Sequence, residues 1–174
     1  DARPIRKGKL SQPVQFGALA EVTQIENQVV SDYQIHIGNP GDSTLLVGVI
    51  ERHKDAFGRV PDEAAADRGY YSAANEKKLA ELGVKQVSIP ATGKVSRARA
   101  AHQAQSWFKR GQRFRAGSEG GISNLKRRYG LGRSMLRGHE GWSCWTGWGV
   151  FAHNLNIPAR LKAKAAKPKG TKKQ

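Results

Sequence analysis

Residues 60–90, VPDEAAADRGYYSAANEKKLAELGVKQVSIP, constrain the fold more than any other stretch. Residues 62–66 are short and small, as in a buried strand, although their β propensity is weak. Asp67 follows at the carboxyl end of that strand, then Gly69. Ser72 is placed to cap a helix running through Leu82, and Gly83 is its stop signal. VKQVSIP (84–90) then reads as a second strand, ended by Pro90. Strand, helix, strand over 31 residues is a βαβ crossover, which demands a sheet with helices on its faces.

The flanking segments fit such a sheet. Residues 1–13 are basic and rich in turn residues, with no strand or helix pattern of their own. Residues 14–23 (VQFGALAEVT) and 28–37 (QVVSDYQIHI) read as two strands of a hairpin turning at Asn27. GNPGD (38–42) breaks the second strand. Asp42 is then the expected N-cap of a helix to Phe57, with Leu45, Leu46, Val49, Ile50 and His53 as its stripe. Beyond the crossover, a helix is expected over 95–107, then a cationic turn KRGQRFR (109–115), then a helix over 118–129. A last helix, 139–155, carries Trp142, Trp145, Trp148, Phe151 and Leu155 at spacings that favour a packed core over a base-stacking platform. From Pro158 the chain is lysine-rich, and disorder is expected. This divides it into a domain at 1–157 and a basic tail at 158–174.

The chain has 174 residues, enough for one core, with a net charge of +16 and a pI near 10.4. That balance points to a polyanionic partner. No apolar run is long enough for a membrane helix, and without a signal-peptide pattern the expected location is cytoplasmic. Cys144 is the sole cysteine and the five histidines are scattered, which leaves no disulfide framework and no zinc-type spacing. The chain opens on Asp1 and its only methionine is Met135. The expectation is a fragment or processed product lacking an N-terminal portion.

Two acids stand out. Asp67 ends a strand, where function gathers in open α/β sheets. Glu119 lies in RAGSEGGISNLKRRY (115–129), where helical spacing sets Glu119, Ser123 and Lys126 on one face beside an apolar stripe of Ile122, Leu125 and Tyr129. The plain alternatives are a turn or capping aspartate and a glutamate at the start of a basic surface helix. Acids distant in sequence can instead converge on Mg²⁺, which takes carboxylate oxygens and keeps positions open for water and phosphate. Arg115 and Lys126 would then neutralise phosphate charge.

RKGKLSQPVQFG, the hairpin ending in GNPGDSTLL, AADRGYYSAANE and WFKRGQRFRAGSEGGISNLKRRYG, in that order and spacing, resemble the C-terminal part of the catalytic domain of bacterial insertion-sequence DDE transposases. The resemblance covers roughly residues 1–157. It implies a ribonuclease-H-like α/β fold, a mixed sheet flanked by helices and lacking its first strand. It implies cleavage and joining of transposon-end DNA with two Mg²⁺ (or Mn²⁺) ions. Double-stranded DNA, transposon ends and target, would be the partner, and a nucleoid-associated location would follow. No membrane partner is implied, and homo-oligomers would form through the full-length protein. It places the second acid of the family's triad on Asp67 and the third on Glu119, both as metal ligands. Arg115, Glu119 and Lys126 match its R-x-x-x-E-x-x-x-x-x-x-K signature. Lys109, Arg110, Arg113 and Arg127 join Arg115 and Lys126 as DNA-holding cations.

Two departures stand out. The aromatic expected three residues before the signature arginine is Gln112. The first acid of the triad has no convincing replacement, since Glu21 and Asp32 fall on the hairpin and Asp1 in an irregular segment. The chain by itself is therefore expected to be inactive or severely impaired. A noncatalytic basic nucleic-acid-binding protein is the alternative, and an unrelated two-metal nuclease a third reading.

Overall fold

The computed structural model describes residues 3–6 and 14–166, with side chains from Gly17 onward. It is an α/β arrangement whose strands form three separate two-stranded sheets among the described residues. The single mixed sheet expected from the sequence is not formed among the described residues: two of the strand pairs are antiparallel and one is parallel.

Strand β1 (Arg3–Arg6) pairs antiparallel with β2 (Val14–Gly17). The expected single strand over 14–23 is therefore two, since β3 begins after a break, at Leu19–Gln24. The reading of residues 1–13 as patternless is corrected for 3–6; residues 7–13 lie outside the described residues. A tetrapeptide containing Pro4 carries no periodicity of its own, and only its pairing with β2 makes it a strand. The β3 strand pairs with β4 (Val30–His36) as the expected hairpin. Its turn uses Asn27 at φ 59° and Gln28 at φ 65°, the left-handed region that asparagine tolerates well.

Helix α1 (Asp42–Phe57) starts one residue earlier than the capping argument placed it. Gly41 is the N-cap and Asp42 the first helical residue, without a side-chain capping bond; its charge still favours the positive helix end. The crossover follows as expected: β5 (Glu63–Ala65), α2 (Ala73–Leu82) and β6 (Gln86–Ser88), with β5 and β6 parallel. Ser72 Oγ accepts from Asn75 N at 3.0 Å, and Gly83 ends α2 at φ 102°. Leu46, Ile50, Leu79, Val84 and Ile89 form the core between α1, α2 and the parallel strands. Buried Asn75 ties the elements together, donating to Ser43 O at 2.6 Å and Tyr70 O at 3.1 Å.

The last three helices differ most from expectation. Helix α3 (Arg97–Ala104) ends at extended Gln105, and α4 runs unbroken from Ser106 to Arg128. The cationic turn and the helix start at 118 are therefore corrected: residues 109–115 are helical, and Glu119 sits well inside α4 rather than at its positive end. Gly111 made the segment look like a turn, but a Cβ there would lie 2.7 Å from Ser88 Cβ. The glycine is a contact point that lets α4 lie against β5 and β6. Helix α5 (Gly138–Ala165) packs on β4, with Val30, Leu125 and Val150 as a second core. It continues through Pro158, so the disorder expected from that point does not hold for 158–165; residues 167–174 lie outside the described residues. The core reading of its aromatics is also corrected. Trp142 and Trp145 are half-buried, but Trp148, Phe151 and Leu155 are exposed. The buried face is instead Thr146, Gly149, Val150, His153 and Ile157. Gly149 permits this, since a Cβ there would lie 2.5 Å from Tyr129 O.

Candidate functional site

The position of α4 sets the site. Ser88 Oγ donates to Phe108 O at 2.8 Å, and Gln112 Nε2 donates to Ser88 O at 2.5 Å and Ala66 O at 3.3 Å. With Gly111 beside Ser88, these bonds clamp the first half of α4 across the carboxyl ends of both parallel strands. Gln112, which departs from the expected aromatic, thus grips strand-end carbonyls with its side-chain amide. Arg115 is three residues further and Glu119 one turn beyond that, so both come level with Asp67 just past β5.

Asp67 makes no side-chain cap to the short 3₁₀ turn Arg68–Tyr70, whose closing bond runs from Tyr70 N to the Asp67 carbonyl at 3.0 Å. Its carboxylate bonds to Arg115 instead: Arg115 Nη1 donates to Asp67 Oδ1 and, at 3.0 Å, to Glu119 Oε1. Two acids 52 positions apart in sequence therefore meet on one nitrogen. Both carboxylates are well exposed, 58% for Asp67 and 66% for Glu119, whereas the Arg115 side chain is 27% exposed. Arg115 Nε is buried without a partner.

Carboxylate oxygens open to water are the donor set that a hard divalent cation takes, so the pair fits one such ion. The set stops at two. Among the described residues no three His, Cys, Asp or Glu side chains group as a metal site. Glu21 and Asp32 are engaged elsewhere: Glu21 Oε2 meets His36 Nε2 at 2.9 Å and Arg52 Nη2 at 3.0 Å, and Arg52 Nε donates to Asp32 Oδ2 at 2.7 Å. Glu21 is buried, and its Oε1 has no partner.

The expected cations divide between faces of α4. Arg115 and Lys126 share the Glu119 face, while Lys109, Arg113 and Arg127 point about 100° away and are exposed. Arg110 donates to Glu63 Oε1 at 2.5 Å and Gln86 Oε1 at 3.3 Å, which joins α4 to both parallel strands.

Sequence reasoning missed two residues here. Tyr70 has its phenol pushed up to about 12 by burial and by the carboxylates of Asp42, Glu21 and Asp67, in that order. It remains a neutral hydroxyl beside the acids at ordinary pH. Its place in AADRGYYSAANE, three residues after Asp67, was the available signal. Arg99 grips Glu76 with bonds of 2.9 and 2.7 Å, donates to Ile89 O at 2.8 Å and lies over the Tyr71 ring, which fixes α3 against α2. Nothing in the spacing of the basic segment distinguished it from its neighbours.

No described helix is long and apolar enough to cross a membrane. No curated protein and no solved structure matches the chain. The family model of the transposase DDE domain matches residues 22–155, from within β3 through the crossover and both acids to most of α5. The chain belongs to the transposase DDE domain family, whose activity is the catalysis of DNA transposition.

Proposed function

We propose that Asp67 and Glu119 are two of the carboxylates with which this domain holds Mg²⁺ or Mn²⁺ for cleavage and joining of transposon-end DNA. The observation that carries this is their convergence on Arg115 from a strand end and a distant helix, with neither side chain making a capping bond. The bound ion would supply polarisation of a phosphodiester and activation of an attacking water or 3′-hydroxyl. The chain's own residues position and neutralise. Gln112 and Gly111 hold α4 so that the two acids stay level, Lys126 lies on the same helix face for a phosphate, and Lys109, Arg113 and Arg127 give the backbone of double-stranded DNA a second cationic face. The two-ion arrangement requires a further bridging carboxylate, and no described acid joins the pair. We therefore expect this chain alone to cleave poorly or not at all.

Among the described residues β3 pairs only with β4, so its other edge is open to a further strand of a ribonuclease-H-like sheet. Four consecutive residues, Leu19–Val22, line one cavity of about 190 Å³ together with Tyr70 and Lys126. Strand side chains alternate in direction, so a cavity touching four in a row lies along the strand edge, where another strand would pair.

One observation favours the noncatalytic DNA-binding alternative: Arg115 already gives both acids a structural partner. Thermal melting with Mn²⁺ separates the readings. A metal-dependent rise in Tm that disappears in the double variant Asp67→Asn/Glu119→Gln supports the ligand pair; identical melts with and without metal in both proteins favour the simple binder. Robust Mg²⁺-dependent cleavage of transposon-end DNA, lost in Asp67→Ala, would refute the expected inactivity.

A further inference from the structure

We infer that Arg115 is an internal counter-ion that occupies the metal position between Asp67 and Glu119 and must swing out before a divalent cation can bind. This rests on the proposed ligand roles of those acids. The carboxylates are held close by separate elements and would repel each other if left unpaired. A guanidinium brings one positive charge to two negative ones, whereas a divalent ion matches both. The arginine is the least exposed of the three side chains, and its Nη1 reaches both acids. Its unpartnered Nε means that the pocket does not hold the guanidinium by its full set of donors. The backbone cannot relieve the competition, because Gly111 and Gln112 pin the preceding turn of α4 to Ser88. With the helix held, the exchange falls to the side chains, and Arg115 is the one whose charge competes with the metal for both acids. Its released fork of donors suits a phosphate oxygen at the same site, so metal entry and phosphate capture are coupled through one residue.

The test is isothermal titration of Mn²⁺ into the full chain, comparing wild type, Arg115→Gln and Asp67→Asn/Glu119→Gln at low ionic strength. Removing the competitor should tighten Mn²⁺ binding by on the order of tenfold, the scale set by two partly exposed ion pairs. Binding in Arg115→Gln with none measurable in wild type also supports the inference. Equal or weaker binding in Arg115→Gln, with wild-type binding abolished by the double variant, overturns the inference and leaves the ligand reading standing. No binding in either wild type or Arg115→Gln overturns both. A second readout avoids any folding defect of the variant. In ¹⁵N spectra of wild type, the Arg115 Nε–H signal should move during Mg²⁺ titration, and an unmoved signal under saturating metal would overturn the inference.

Discussion

Replacing Gly111 by alanine tests the docking of α4 on the parallel strands. The added Cβ would lie 2.7 Å from Ser88 Cβ and 2.9 Å from Ser88 Oγ, with Ala65 Cβ at 3.6 Å. Ser88 is buried, and turning its side chain aside loses its bond to Phe108 O and the one its Oγ accepts from Gln112. Overpacking of a tight site costs about 1–3 kcal/mol, and disturbing the Ser88 bond about 1 kcal/mol more. Against this, alanine is favoured over glycine inside a helix by about 1 kcal/mol. The net expectation is a loss of about 1–3 kcal/mol. Gly117 and Gly120 lie on the same helix with nothing within 4 Å of an added Cβ. Alanine at either should stabilise by about 0.5–1 kcal/mol, so the same substitution changes sign along one helix. Urea unfolding followed by far-UV circular dichroism measures all three. A stabilised Gly111→Ala variant, alike in size to Gly117→Ala, would refute the close approach and with it the clamp that aligns Asp67 and Glu119.

Tyr70 provides a pH test. Its folded pKa is raised from 10.0 to about 12, so its contribution to stability is complete below pH 10 and falls away as pH rises toward 12. A phenolate-absorbance titration should show one late-ionising tyrosine that is missing in Tyr70→Phe; an unchanged titration would contradict its burial among carboxylates. DNA affinity should fall steeply with salt, and Lys109→Gln/Arg113→Gln/Arg127→Gln should reduce the slope of log K against log salt by about 0.9 for each phosphate no longer neutralised. An unaltered slope would remove that face from the interface.

Much was legible without the structure because it is written in short-range pattern. The crossover, the Ser72 cap, the Gly83 stop and the hairpin turning at Asn27 depend on neighbours within a few residues. The same holds for the shared face of Glu119 and Lys126. Asp67 was singled out because a strand end is a local feature. The errors arose where a distant neighbour reverses what a local signal means. Gly111 reads as a turn until Ser88 is placed against it, and Pro4 reads as irregular until β2 pairs with it. Pro158 reads as an end, yet α5 continues through it.

The sequence by itself determined the hairpin and the crossover, the strong positive charge and which two acids to suspect, since composition and helical or strand periods are properties of the chain alone. Only the tertiary structure decided what those acids face. Whether Trp148 is buried, whether Arg110 is engaged by Glu63, and whether Arg115 points to solvent or between Asp67 and Glu119 depend on side chains that meet across dozens of residues. Such meetings follow from how α4 and α5 pack on the strands, and no local period encodes them.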